Sequence, residues 1–141
     1  MKKKLTNVLF LCSIIFIMDL TMLPEDSLGI GIASGGINLI PFYTITRLFF
    51  YQSISNFIIN NIGNVVLFIP FGFMLPIRFQ CLDNITKVCI ISVLFSMTIE
   101  CIQLYMPYRW TDIDDVILNS IGAGVGYSLF KLYKNKLNNK I

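Results

Sequence analysis

Histidine is absent from all 141 residues. That excludes a His-based triad, a His-ligated zinc and an imidazole proton shuttle, so any acid–base chemistry falls to Asp and Glu. Cysteine occurs four times, at Cys12, Cys81, Cys89 and Cys101, with no CxxC pair. Cys12, Cys89 and Cys101 lie inside apolar runs, where a thiol behaves as a small hydrophobe; neither a disulfide framework nor a metal site is expected, and no cofactor. Charge is scarce too, at 13% of residues, against about a quarter in a soluble domain. The basic residues are scattered rather than gathered into a patch, which excludes nucleic acid as a partner. Repeats and low-complexity segments are missing as well.

What is present is apolar. With 55% hydrophobic residues, the chain reads as one membrane domain over residues 1–141. Four segments approach the ~20 residues that cross ~30 Å of hydrocarbon: residues 5–23, 57–77, 85–106 and 113–133. The expectation is an all-α polytopic membrane protein, a four-helix transmembrane bundle. The connection from Pro24 to Asn56 opens glycine-rich (GIGIASGG) and continues FYTITRLFFYQSISNF, an interfacial or re-entrant segment with aromatic anchors. Lys2, Lys3 and Lys4 before an apolar run resemble a secretory signal. The run is long, however, carries Asp19, and lacks a small-x-small cleavage pattern before Pro24, so an uncleaved first span is expected. A cytoplasmic amino terminus places nine Lys and Arg inside and only Arg47 and Arg109 outside, which puts both termini in the cytoplasm. Seven of the eight carboxylates then fall on the external side, with Asp83 alone inside.

Polar residues inside these runs need partners or a purpose. Asn56, Asn60 and Asn64 are four apart and share a helix face. Ser92, Ser96, Glu100 and Gln103 form a stripe on the third span, and Asp112, Asp115, Asn119, Gly122 and Gly126 form another on the fourth. At 1.5 Å per residue, Asn64 lies roughly 10 Å and Glu100 roughly 8 to 9 Å below the same outer boundary. The faces are expected to turn inward around a pocket open to the outside, with Asn64, Gln103 and Asn119 donating to Glu100 and Arg109 supplying charge from the loop. Several of these residues also have plainer uses. Asp112 suits a helix N-cap, and Asp114 or Asp115 a capping box. Gly122 and Gly126 form a close-packing surface for a neighbouring helix or for a second copy in a homo-oligomer. Pro70 and Pro76 are expected to bend the second span.

The ordered set NLIPF, NIGNVVLFIPFGFMLP, IECIQ and RWTDIDDVILNSIGAGVGY resembles the VanZ-like family of small bacterial membrane proteins, over most of the chain from Asn38 to Tyr127. The matching polar residues are Asn60, Asn64, Glu100, Gln103, Arg109, Asp112, Asp114, Asp115 and Asn119. The resemblance implies a cell-envelope protein of the bacterial membrane, in a family named for teicoplanin resistance, with no catalytic assignment to carry over. The leading expectation is therefore a binding protein whose outward pocket engages a membrane lipid, a lipid-linked cell-wall precursor or a lipoglycopeptide. The alternative is a divalent-metal-dependent enzyme acting on polyprenyl-phosphate or glycolipid substrates through Glu100, Asp112, Asp114 and Asp115. DDxxxN is a short motif, and only Arg47 and Arg109 would face phosphate. A small ion-coupled transporter ranks third, because the third span has no ionisable residue between Lys87 and Glu100.

Overall fold

The computed structural model describes residues 2–22, 36–106 and 109–139. In chain order these form helix α1 (Lys2–Met22), strand β1 (Gly36–Asn38), helices α2 (Tyr43–Tyr51) and α3 (Ile54–Phe57), a π-helical turn (Ile58–Ile62) and helix α4 (Gly63–Arg78). A 3₁₀ turn (Gln80–Leu82), helix α5 (Ile85–Gln103), strand β2 (Trp110–Asp112) and helix α6 (Ile113–Asn138) complete it. The expected end of the first span at Pro24, the acidic Glu25 and Asp26, and most of the glycine-rich stretch lie outside the described residues.

Three helical segments, Lys4–Met22, Ile54–Arg78 and Ile85–Gln103, are long and apolar enough to cross a membrane, and with the bundle they form this is an all-α membrane protein. Only 6% of Lys4–Met22 is buried inside the protein, so the apolar flank of α1, with Leu5, Val8, Leu9 and Ile15, faces outward where lipid would lie. Helix α6 is long but less apolar than the other three, and its buried residues lie between Asp114 and Phe130. It packs against both α4 and α5 and buries Asp114, Leu118, Asn119, Ala123 and Tyr127. A helix sheltered by protein can carry polar groups that lipid would not tolerate.

The core is aromatic. Phe71 stacks on Phe95 at 5.2 Å, Phe68 touches both at 5.8 and 5.9 Å, and Phe10 reaches Phe71 at 6.0 Å. These rings join α1, α4 and α5. The α4–α6 seam is built differently, from glycine. A Cβ on Gly122 would lie 2.1 Å from the Val65 carbonyl oxygen, one on Gly126 2.1 Å from that of Ile69, and one on Gly72 2.1 Å from that of Ala123. The helices thus meet backbone to backbone, as small residues permit. The Gly122/Gly126 face is therefore occupied by α4 of the same chain, and a homo-oligomer would have to use another surface.

The prolines do not interrupt the helix. α4 is continuous through Pro70 and Pro76, and the departure from α geometry lies earlier, at Ile58–Ile62. That π-helical turn inserts an extra residue and rotates the rest of the helix about its axis. Asn60 and Asn64 nevertheless line one cavity, and Asn56 does not join them. Asn60 is exposed and donates to the Asn56 carbonyl at 2.8 Å, Asn61 is buried, and Asn64 turns into the bundle.

At the end opposite the strands, Asp83 accepts from Lys134 at 2.6 Å and Tyr127 at 3.1 Å and pairs with Lys131 at 3.2 Å, clamping the α4–α5 turn to α6. The Lys134 ammonium, with help from Lys131 and the Tyr127 hydroxyl, holds the Asp83 carboxyl down at about 2 from an ordinary 3.8. Because the folded value is depressed, the clamp contributes fully above the ordinary value and is lost as pH falls from about 4 to about 2. Thermal aggregation of detergent-solubilised protein should show that acid decline, and Asp83→Asn should flatten it.

Candidate functional site

The two short strands pair in parallel, Gly36 with Trp110, Ile37 with Thr111 and Asn38 with Asp112. They bring a segment ahead of α2 against the start of α6. Asp112 caps α6 by accepting from the Asp114 N–H at 2.9 Å. Its own backbone N–H donates to Glu100 Oε2 at 2.8 Å, and Thr111 Oγ1 donates to the Glu100 carbonyl at 3.2 Å. Asn38 Nδ2 donates to Asp112 Oδ1 at 2.9 Å. Glu100 therefore holds the N-terminus of α6 to the last turn of α5, which differs from the expected set of amide donors.

Asp114 does not complete a capping box on its own helix. Its carboxylate accepts from the Phe42 N–H and, at 3.1 Å, from the Ile45 N–H. It caps α2 from a distance in sequence, with negative charge where the helix dipole favours it. Phe42 is in the left-handed region at φ 64°, unusual for a residue with a Cβ. No residue of α2 is buried, so this carboxylate is its main tether to the bundle.

The other expected donors also find different partners. Asn64 Nδ2 donates to Asp115 Oδ1 at 2.6 Å, Gln103 Nε2 to the Thr21 carbonyl at 2.7 Å, Arg109 Nη2 to the Leu20 carbonyl at 3.1 Å, and Asn119 Nδ2 to Ser96 Oγ at 2.8 Å. Asn119 lies deeper than the rest, between α5 and α6, where Ser92 Oγ donates to its carbonyl. Burial holds the pKa of the Arg109 guanidinium below its ordinary value, and the carboxylates of Asp115 and Glu100 offset only part of that shift. Arg109 and Gln103 both reach the final turns of α1, where backbone carbonyls lack intrahelical donors.

The nine residues thus separate into two groups. Asn60, Asn64, Gln103, Arg109 and Asp115 line one cavity of about 380 Å³, whose apolar wall includes Phe16, Leu20, Ile59, Val66 and Leu67. Glu100, Asp112, Asp114 and Asn119 stand behind it and hold helix ends and strands together. Asn38, Thr111 and the two serines hydrogen-bond to these residues, whereas the buried Asn61 donates to the Phe57 carbonyl one turn back. The serines had a signal in the sequence, as part of the stripe with Glu100 and Gln103, whereas Asn38 only opened the NLIPF motif, which did not disclose its partner. The buried Gln103 Oε1 and Asn119 Oδ1 accept no hydrogen bond. Among the described residues, no three Cys, Asp or Glu side chains gather as a metal ion would require.

A family model described as VanZ/LLP1 matches residues 8–134. Protein VanZ of Enterococcus faecium is 39% identical over 79 residues, which are 56% of this chain and 48% of that protein. The chain thus spans about half the length of the curated relative it matches. No solved structure matches the chain.

Proposed function

The chain belongs to the VanZ/LLP1 family, and on that premise we propose that it is a multi-pass protein of the bacterial cell membrane that engages a membrane lipid or lipid-linked wall component and so lowers susceptibility to teicoplanin-type glycopeptides. Both termini lie in the cytoplasm in this reading. The Asp83 end of the bundle carries Arg78, Lys87, Lys131 and Lys134, the cytoplasmic bias of basic residues. The strand end, with Asp112, Asp114 and Asp115, faces outward.

One observation carries the binding reading. The cavity beside Gln103 joins a polar rim to an apolar wall, and pockets of about 300–1,000 Å³ are those that take small ligands. At about 380 Å³ it accommodates one lipid head group or one chain segment, far less than a whole glycopeptide. A role at the level of the lipid, or of the lipid anchor on a lipoglycopeptide, accords with that size. The metal-dependent alternative gains no support: Asp112 and Asp114 are committed to backbone N–H groups and to Asn38.

Overproduction in a susceptible host should raise the inhibitory concentration of teicoplanin. Asn64→Ala, which loosens Asp115 at the cavity, should remove that protection at unchanged protein abundance, whereas Glu100→Gln, which weakens the scaffold, should remove it together with the protein. Protection that survives Asn64→Ala at full strength, or that never appears on overproduction, would sink the proposal.

A further inference from the structure

We infer that the occupant of the Gln103 cavity is an amphiphile whose head group donates hydrogen bonds, an ammonium or a sugar hydroxyl, rather than an anionic head recognised through phosphate. This deepens the proposed engagement of lipid and rests on it. Each amide nitrogen around the cavity already commits an N–H within the protein: Asn60 to the Asn56 carbonyl, Asn64 to Asp115 and Gln103 to the Thr21 carbonyl. The bond to Thr21 also fixes the orientation of the Gln103 amide, because the flipped form would set two acceptor oxygens against each other. Gln103 is 5% exposed, and its Oε1 accepts nothing. A buried acceptor left in this state is destabilising, and a donating head group would relieve it. Asp115 adds carboxylate acceptor capacity at the same wall. The lining holds one basic residue, Arg109, and one acidic residue, Asp115, a formal balance that sets no excess of cations against a phosphate.

The apolar side completes the match. Phe16 and Val66 line the cavity and yet are 52% and 55% exposed. They form a lateral opening between α1 and α4 at the lipid-facing surface, through which a chain can leave toward the acyl region while the head stays at Gln103 and Asp115.

The test uses the full chain in nanodiscs of phosphatidylcholine, whose head group has no N–H or O–H to compete. Binding of labelled dodecylamine, dodecyl glucoside and dodecyl phosphate is measured against empty discs. The amine, the glucoside or both should bind saturably and at least about tenfold tighter than the phosphate, the ratio that one to two hydrogen bonds supply. Val66→Trp, which fills the opening and leaves every polar partner in place, should abolish that binding without lowering the thermal aggregation temperature. Preference for the amine alone assigns recognition to Asp115; preference for the glucoside alone assigns it to the uncharged oxygens. Tighter binding of the phosphate would overturn this inference while leaving a lipid-engaging function intact. Binding unaffected by Val66→Trp, or no saturable binding of any of the three, would overturn it too, and the susceptibility assay would then decide the broader function separately.

Discussion

Gly126→Val is expected to eliminate the folded protein. Even the Cβ of that valine would sit 2.1 Å from the Ile69 carbonyl oxygen and 2.8 Å from the Phe73 nitrogen, where real Cβ contacts essentially never fall below 3.0 Å. The obstacle is backbone, so no side chain can swing aside, and α4 must withdraw from α6. Withdrawal also opens the Gly122–Val65 and Gly72–Ala123 contacts, because they share the seam. Ordinary overpacking costs about 1–3 kcal/mol; separating a backbone-to-backbone seam should exceed that and reach about 4 kcal/mol or more. Membrane abundance and the aggregation midpoint in dodecyl maltoside should both collapse, and Gly122→Ala should move the same way. Gly124 supplies the control. It lies between the two, yet its nearest neighbour to an added Cβ is Cys89 Sγ at an ordinary 3.7 Å. Gly124→Ala should therefore be neutral or stabilising by up to about 1 kcal/mol, from helix propensity. A Gly126→Val protein of normal midpoint would show that the helices do not meet as described.

Asp114→Ala should release α2. The substitution leaves the Phe42 and Ile45 N–H groups without their acceptor and withdraws support from the left-handed backbone at Phe42. Hydrogen bonds to a charged group are worth about 1.5–3 kcal/mol each when buried, and a residue held in that region costs about 1–3 kcal/mol. These bonds are only partly buried, so a loss near ~3 kcal/mol is expected, confined to the strand end. The signature is local. Protease should gain access between residues 43 and 51 while the aromatic core around Phe71 and Phe95 stays packed. Asp114→Asn retains one acceptor oxygen and should recover part of the protection. Equal protease resistance in all three proteins would refute the tether.

Hydropathy made most of the helices legible, because length and apolarity alone define a lipid-crossing segment. Periodicity also placed the polar residues of three helices at one end of the bundle. It did not supply their partners. Gln103 and Arg109 bond to carbonyls of α1, and a free carbonyl at a helix end has no residue-type signature. Asn60 and Asn64, four apart, line one cavity while Asn56 does not, and the π-helical turn beside them has no signature in composition. Asn38 and Asp114 were obscure for another reason: their roles depend on a three-residue parallel pairing across more than seventy positions of chain, too short to announce itself as strand. The close-packing role of Gly122 and Gly126 was readable, whereas the identity of their neighbour required coordinates.

The strand pairing also bears on biogenesis. Residues 36–38 and the start of α2 find their partners only at Trp110–Asp114, after the ribosome has made α4 and α5 in full. Until α6 emerges, the chain holds an uncapped, aromatic helix, and α4 lacks the Gly122/Gly126 surface against which it packs. The least apolar helix is thus the one that closes the assembly, and a nascent chain stalled before it should be an early target for membrane quality-control proteases.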